Sequence, residues 1–262
     1  MDYILSNASL VFEHIDYKKI DPSDIEVEGF NIHDSLDSKI WNKNDIMNED
    51  VRDRLIEISK SFVEGIPFEI EIIDIKLTGS LASYNWSKFS DVDLHIEVDF
   101  EEINDDIDLV RDYFNAKQAV WNLRHEIYIR GYEVEIYVEN LGDPHVAVGK
   151  YSILNNEWID FPKKEVNVDI DTSDAKKKAM LIARQIEHIE DISFDDPLDA
   201  EEMAERVKEK IRRMRRSGLD SKKGIYSSKN IAFKILRRNG YLQRLSDIKT
   251  QSYDRAMSLA GI

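Results

Sequence analysis

Cysteine is absent from the 262 residues, which removes disulfides, thiolate zinc sites and cysteine nucleophiles together. Any metal must therefore sit on oxygen or imidazole, and the six histidines show no metal-ligand spacing. Long apolar runs are missing as well: no stretch approaches the roughly 18 consecutive apolar residues of a membrane helix. The opening Met1-Asp2-Tyr3-Ile4-Leu5 lacks a basic segment followed by an apolar core, so it does not resemble a secretory signal. A soluble, cytoplasmic protein with no membrane partner is the expectation. Positive charge is scarce, with 36 Lys and Arg against 52 Asp and Glu for a net −16, but the deficit is uneven. Between Ala204 and Lys249 there are fifteen Lys and Arg against four Asp and Glu, a local +11 that leaves −27 on the remainder. An acidic majority discourages nonspecific contact with nucleic acid and suits carboxylates that hold cations, whereas the basic stretch can meet polyanions.

The apolar pattern divides the chain. Residues 1–45 show no sustained period, and Asp21-Pro22-Ser23-Asp24 reads as a turn, giving an irregular N-terminal extension. Val51, Leu55, Ile58 and Phe62 recur at helical spacing behind Asn48-Glu49-Asp50, which offers a cap, and Gly65-Ile66-Pro67 ends that helix. Alternation over Phe68 to Leu77 predicts a strand that stops at Gly79-Ser80. Leu81 to Trp86 fits a short helix, and Asp91 to Phe100 alternates as a second strand. A helix over Asp106 to Leu123 follows from Ile107, Val110, Phe114 and Trp121, then strand character around a turn at Gly131 over Ile127 to Val138, then a hairpin around Asn155-Asn156. Beyond Ser173 the stripes are helical, with Asn239-Gly240 interrupting the last. The fold class is α+β: a mixed β-sheet with flanking helices, followed by a C-terminal helical region, with the boundary near residues 168–174.

Chemistry concentrates in one place. Asp91-Val92-Asp93 begins a strand, where alternation sends both carboxylates to one face and Val92 and Leu94 to the core. Their Cα atoms are roughly 6.6 Å apart, a span from which two carboxylates can converge on divalent ions about 3.5–4 Å apart. Magnesium takes oxygen ligands and keeps waters and substrate phosphates, so few protein donors suffice. Gly79 permits close approach at the end of the preceding strand, and Ser80 adds a hydroxyl where backbone N–H groups at a helix start can bind phosphate. A third acid is needed. Tyr132-Glu133-Val134-Glu135-Ile136-Tyr137 offers Glu133 and Glu135 on one face, with Glu135 favoured.

Thr78-Gly79-Ser80, ten intervening residues, then Asp91-Val92-Asp93-Leu94 resembles the signature of the DNA polymerase β-type nucleotidyltransferase superfamily, and Val134-Glu135-Ile136 resembles its third acidic element. The resemblance covers about residues 68–138. It implies a nucleotidyltransferase-type sheet in a catalytic domain over 46–170, a helical substrate-binding region over 171–262, and Mg2+ or Mn2+ on Asp91, Asp93 and Glu135. It also implies a nucleoside triphosphate, ATP among the candidates, bound at Gly79 and Ser80. Transfer of its nucleoside monophosphate to an acceptor hydroxyl, with release of pyrophosphate, would follow. Segments His33-Asp34-Ser35-Leu36 through Ile40-Trp41, Val51 to Leu55, and Asn230 to Leu242 look like parts of uncharacterised phage-encoded nucleotidyltransferase-like proteins.

Several blander readings compete. Asp91, Asp93, His95, Glu97 and Glu102 echo a calcium loop, but Ile96 stands where that loop requires Gly. Lys208, Lys210, Arg212, Arg213, Arg215 and Arg216 are singly the solvated face of an amphipathic helix and together a surface for RNA or another phosphate-bearing acceptor. Trp121, Trp158 and Tyr151 read as packing rather than base-stacking platforms. The alternative function is a noncatalytic nucleotide- or polynucleotide-binding regulatory module on the same fold.

Overall fold

The computed structural model describes residues 31–144, 147–164 and 170–258. The expected turn at Asp21-Pro22-Ser23-Asp24, and most of the expected extension, lie outside the described residues. Two compact units divide the chain, with the break falling between described residues 164 and 170.

The first unit is built on a six-stranded mixed sheet of order β3-β4-β2-β1-β5-β6. Its strands are β1 (Asp74–Thr78), β2 (Val92–Val98), β3 (Tyr128–Ile129), β4 (Tyr132–Asn140), β5 (Lys150–Ser152) and β6 (Glu157–Asp160), with helices α1 (Glu49–Glu64) before β1 and α2 (Ile107–Arg124) between β2 and β3. Only β2 and β4 run parallel; the other pairings are antiparallel. A parallel pair needs a crossover, and α2 supplies it. Asp106 caps α2 by accepting from Leu109 N at 3.1 Å. Between β3 and β4 the turn residues Arg130 and Gly131 both have positive φ, 53° and 91°, the geometry of a tight two-residue hairpin.

Alternation gives the sheet one apolar face. Ile75, Leu77, Val92, Leu94, Ile96, Val98, Val134 and Ile136 are buried and join α1 residues Val51, Leu55, Ile58 and Phe62 and α2 residues Val110 and Phe114 in one core. At roughly 1.5–3 kcal/mol for each large side chain buried, this face dominates the folding energy of the unit.

Three expectations need correction. The strand expected from Phe68 begins only at Asp74. Ile73 N still donates to Glu97 O at 2.9 Å, but β2 ends at Val98, so the earlier residues have no partner strand. Asn48 occupies the N-cap position of α1 without capping it; its side-chain amide instead donates to the carbonyls of Ser38 and Lys39. Leu81 to Trp86 forms a series of turns rather than a helix. Its carbonyls are taken by distant donors: Trp41 Nε1 donates to Leu81 O at 2.8 Å and His33 N to Tyr84 O at 2.7 Å.

Those donors come from residues 33–47, which contain no regular element beyond a bridge between Trp41 and Met47. They are nevertheless part of the core, with Leu36, Ile40, Trp41 and Met47 all buried, and the sheet unit reaches back before residue 46. Tyr132 of β4 reaches into this segment, donating to Asp37 Oδ2 at 2.5 Å.

The second unit is helical over its described residues: α3 (Thr172–Ile192), α4 (Pro197–Leu219), α5 (Ser228–Arg238) and α6 (Tyr241–Met257). Asp171, Asp196 and Ser227 cap the first three by accepting from backbone N–H groups three residues on. Gly240, at φ 73°, separates α5 from α6 where Asn239-Gly240 predicts a break. Among the described residues, no helix is long and apolar enough to cross a membrane.

The edge of β4 beyond its short pairing with β3 is closed by side chains. Asn122 of α2 donates to Ile136 O and accepts from Ile136 N, both at 2.9 Å, and Gln118 accepts from Val138 N at 2.7 Å. Two amides thus stand in for a missing strand. Asn122→Ala, which leaves the Ile136 backbone pair without these partners, is expected to destabilise the protein by roughly 1–3 kcal/mol. A urea midpoint unchanged from wild type would show that water replaces the amide at no cost.

Candidate functional site

Strand pairing assembles the acidic cluster. Thr78 of β1 pairs with Asp93 of β2, and on the other side Asp93 pairs with Glu135 of β4. Buried and part-exposed residues alternate strictly along β2, so Asp93, His95 and Glu97 share the polar face. Asp91 lies just before the strand. Asp91, Asp93 and Glu135, all half-buried, each offer one carboxylate oxygen, and these atoms lie within 4.8 Å of one another. Glu133 is exposed, pairs with Tyr128 of β3 and stands outside this group. Partial desolvation of its carboxyl raises it above the usual value, and the charges of Glu135, Glu126 and Asp91 push it further. Carboxylates this close repel one another where they are ionised.

Gly79 closes the cluster from the β1 side. Its φ is +74°, and a Cβ placed on it would fall 1.7 Å from Asp93 Oδ2 and 2.7 Å from Asp93 Cγ. No other residue can hold the chain this close to the carboxylate. Ser80 follows, but its hydroxyl does not cap a helix: it donates to Ser90 Oγ at 2.7 Å, and Ser90 Oγ also accepts from Ser87 N at 3.0 Å. These contacts cinch the loop between β1 and β2 at its base. Trp86 Nε1 donates to Ser35 O at 3.0 Å, and the Trp86 ring stacks on His33 at 3.7 Å, so residues 33–41 clamp the loop from outside. The helix start expected after Gly79-Ser80 is therefore corrected to a braced turn.

Farther along the polar face the charges are matched. Lys76 of β1 contacts Glu97 at 2.6 Å and Glu139 of β4 at 3.0 Å, and His95 Nδ1 lies 3.1 Å from Glu139. All four side chains are only 12–14 % exposed. Burial alone would raise the Glu139 carboxyl, but the hydrogen bonds and charges of His95 and Lys76 outweigh it and bring it down to about 2. Between this row and the carboxylates sits Tyr137, whose hydroxyl donates to Glu135 Oε2 and whose ring stacks on His95 at 5.0 Å. Burial pushes the phenol well above its ordinary value, and the hydrogen bond to Glu135 and nearby carboxylate charges add to the shift.

Asp91, Asp93 and Glu135 are thus brought together, with Gly79 against Asp93 and Ser80 next to it in the chain. Tyr137, Ser90, Lys76 and Glu139 went unread in the sequence. Alternation through Glu133-Val134-Glu135-Ile136-Tyr137-Val138-Glu139 was a signal that Tyr137 and Glu139 share the face of Glu135. No protein-family model, no curated protein and no solved structure matches the chain.

Two outcomes follow from this geometry. Gly79→Ala should displace Asp93 and strain the turn, costing roughly 1–2 kcal/mol for the left-handed backbone alone; unchanged thermal stability and unchanged divalent-cation binding would contradict the close approach. Glu139 has a carboxyl depressed from 4.5 to about 2, so its contribution to stability is complete above pH 4.5 and is lost as pH falls toward 2. Glu139→Gln should be less stable than wild type at neutral pH, and the gap should narrow across that window; a constant gap would mean that the Lys76 and His95 contacts do not depend on the charge of Glu139.

Proposed function

We propose that the chain is a divalent-metal-dependent nucleotidyltransferase, moving a nucleoside monophosphate from a nucleoside triphosphate to an acceptor hydroxyl and releasing pyrophosphate. The observation that carries this reading is the convergence of Asp91, Asp93 and Glu135 within 4.8 Å beside the Gly79-Ser80 turn. The donor set fits Mg2+ or Mn2+, since it is all oxygen, leaves coordination positions for water and phosphate, and carries a mutual repulsion that a cation relieves. A cation held by these three residues would neutralise phosphate charge and favour the ionised acceptor hydroxyl.

The residues themselves divide the remaining work. Gly79 keeps the turn flat against Asp93, so a triphosphate laid along it meets backbone and the Ser80 hydroxyl rather than a side chain. The acceptor oxygen bonds to the α-phosphorus, the bond to the pyrophosphate oxygen breaks, and the hydroxyl proton passes to a carboxylate, Glu135 or its neighbours, or to water. Lys208, Arg212 and Arg215 of α4 line a groove of about 270 Å³ with Ile211, Phe233 and Leu242, and Arg215 lies 4.2 Å over the Phe233 ring. This supports an acceptor that bears phosphate, RNA among the candidates.

Incubation of the protein with each labelled ribonucleoside triphosphate, Mg2+ or Mn2+ and an RNA acceptor should yield labelled product and pyrophosphate, and Asp91→Asn with Asp93→Asn should reduce both to background while the protein stays folded. Product formation that survives the double substitution, or no product with any donor and metal, would sink the reading.

A further inference from the structure

Glu135 differs from its two partners in having an extra rotatable bond, so ordering its carboxylate costs more side-chain entropy. A carboxylate meant to meet a cation at a fixed place needs something to hold it. Lys or Arg would do so at the expense of its charge, which is what the cation requires. A neutral hydroxyl orients a carboxylate and leaves the charge intact, and the two oxygens retain further acceptor positions for a cation.

Tyr137 meets that description. It lies two residues along β4 from Glu135, on the same face, and its hydroxyl donates to Glu135 Oε2. Its ring is fixed in turn. Tyr137 pairs in register with His95 of β2 and stacks on it at an interplanar angle of 22°. His95 is held at 3.1 Å by Glu139, and Glu139 at 3.0 Å by Lys76, which is anchored to Glu97. We propose that Tyr137 is a positioning residue for the cation site: through its hydroxyl it holds the Glu135 carboxylate in place beside Asp91 and Asp93, braced by the His95 ring behind it. The inference rests on the metal-dependent reading of those three residues, and it assigns the row of matched charges to supporting the site.

Mn2+ binding to the full chain, followed by the loss of the free-ion paramagnetic resonance signal, separates this from a packing role. Wild type is compared with Tyr137→Phe, Tyr137→Leu and Asp93→Asn, alongside melting temperatures of the metal-free proteins. Loss of an outer partner typically weakens metal affinity about 10–100-fold. Tyr137→Phe, which keeps the ring and removes only the hydroxyl, should weaken Mn2+ binding by about tenfold with its metal-free melting temperature unchanged, and Tyr137→Leu should add little to that loss in affinity. A packing role predicts the opposite, with Phe equivalent to Tyr and only Leu impaired. Mn2+ affinity of Tyr137→Phe within about twofold of wild type, or a loss accompanied by a lower metal-free melting temperature, overturns the proposal while leaving the metal reading standing. No Mn2+ binding by wild type, or binding indifferent to Asp93→Asn, removes the metal reading itself and this inference with it.

Discussion

Val92 of β2 pairs with Val134 of β4 in parallel, and that register sets the β2 and β4 charged side chains against one another on the polar face. Side chains alternate with period two, so a slip by one residue would turn Val134 and Ile136 outward and push Glu133, Glu135 and Tyr137 into the core. Burial of the valine, leucine and isoleucine face, at roughly 1.5–3 kcal/mol per side chain, forbids the slip. The same apolar contacts that stabilise the unit thus bring Glu135 to Asp93 across the strand gap. The parallel sense is imposed by α2, which crosses between the two strands and then closes the exposed edge of β4 with Asn122 and Gln118.

A cluster of like charges opposes folding, and the surrounding residues show how that opposition is contained. At one end of the polar face Lys76 and His95 meet Glu97 and Glu139. At the other, Asp91, Asp93 and Glu135 converge. Tyr137 stands between the two, hydrogen-bonded to Glu135 and stacked on His95. Folded chains exceed unfolded ones in stability by only about 5–15 kcal/mol, so even a modest repulsion among these carboxylates matters. A bound cation, as proposed, would offset that repulsion. Gly79 answers the same crowding, since its lack of a side chain lets the end of β1 approach Asp93.

What could be read from the sequence was what depends on local period. Alternation put Asp91 and Asp93 on one face and Val92 and Leu94 in the core; the strand runs Val92–Val98. The same period placed Glu133 and Glu135 together but could not choose between them, because the choice depends on which position lies against Asp93, and pairing across α2 decides that. The mixed α and β architecture and the helical stripes after Ser173 were legible for the same reason. Long-range contacts were not. Leu81 to Trp86 carries helix-compatible residues, yet hydrogen bonds from Trp41 and His33 hold it as turns. Asn48 has the chemistry of a cap but is drawn to the carbonyls of Ser38 and Lys39. Residues 33–47 show no period because they are irregular, and that irregularity concealed how deeply Trp41 and Ile40 are buried.

The distribution of charge places a condition on the acceptor. Outside the basic stretch from Ala204 to Lys249 the chain carries −27, and at physiological ionic strength such charge is felt over about 8 Å. A polyanion is repelled by acidic surface and drawn to basic surface. Within the helical unit, Lys208, Arg212 and Arg215 of α4 recur at helical spacing and line a groove with Ile211, Leu242 and Leu245. A neutral acceptor would need no such stripe, and the stripe would then be only the solvated face of an amphipathic helix. The groove goes beyond a solvated face in that Arg215 lies over the Phe233 ring and the basic residues line it together with Ile211, Leu242 and Leu245. Phosphate charge is what the basic lining of this groove matches, which is why a phosphate-bearing acceptor suits the proposed transfer better than a neutral one.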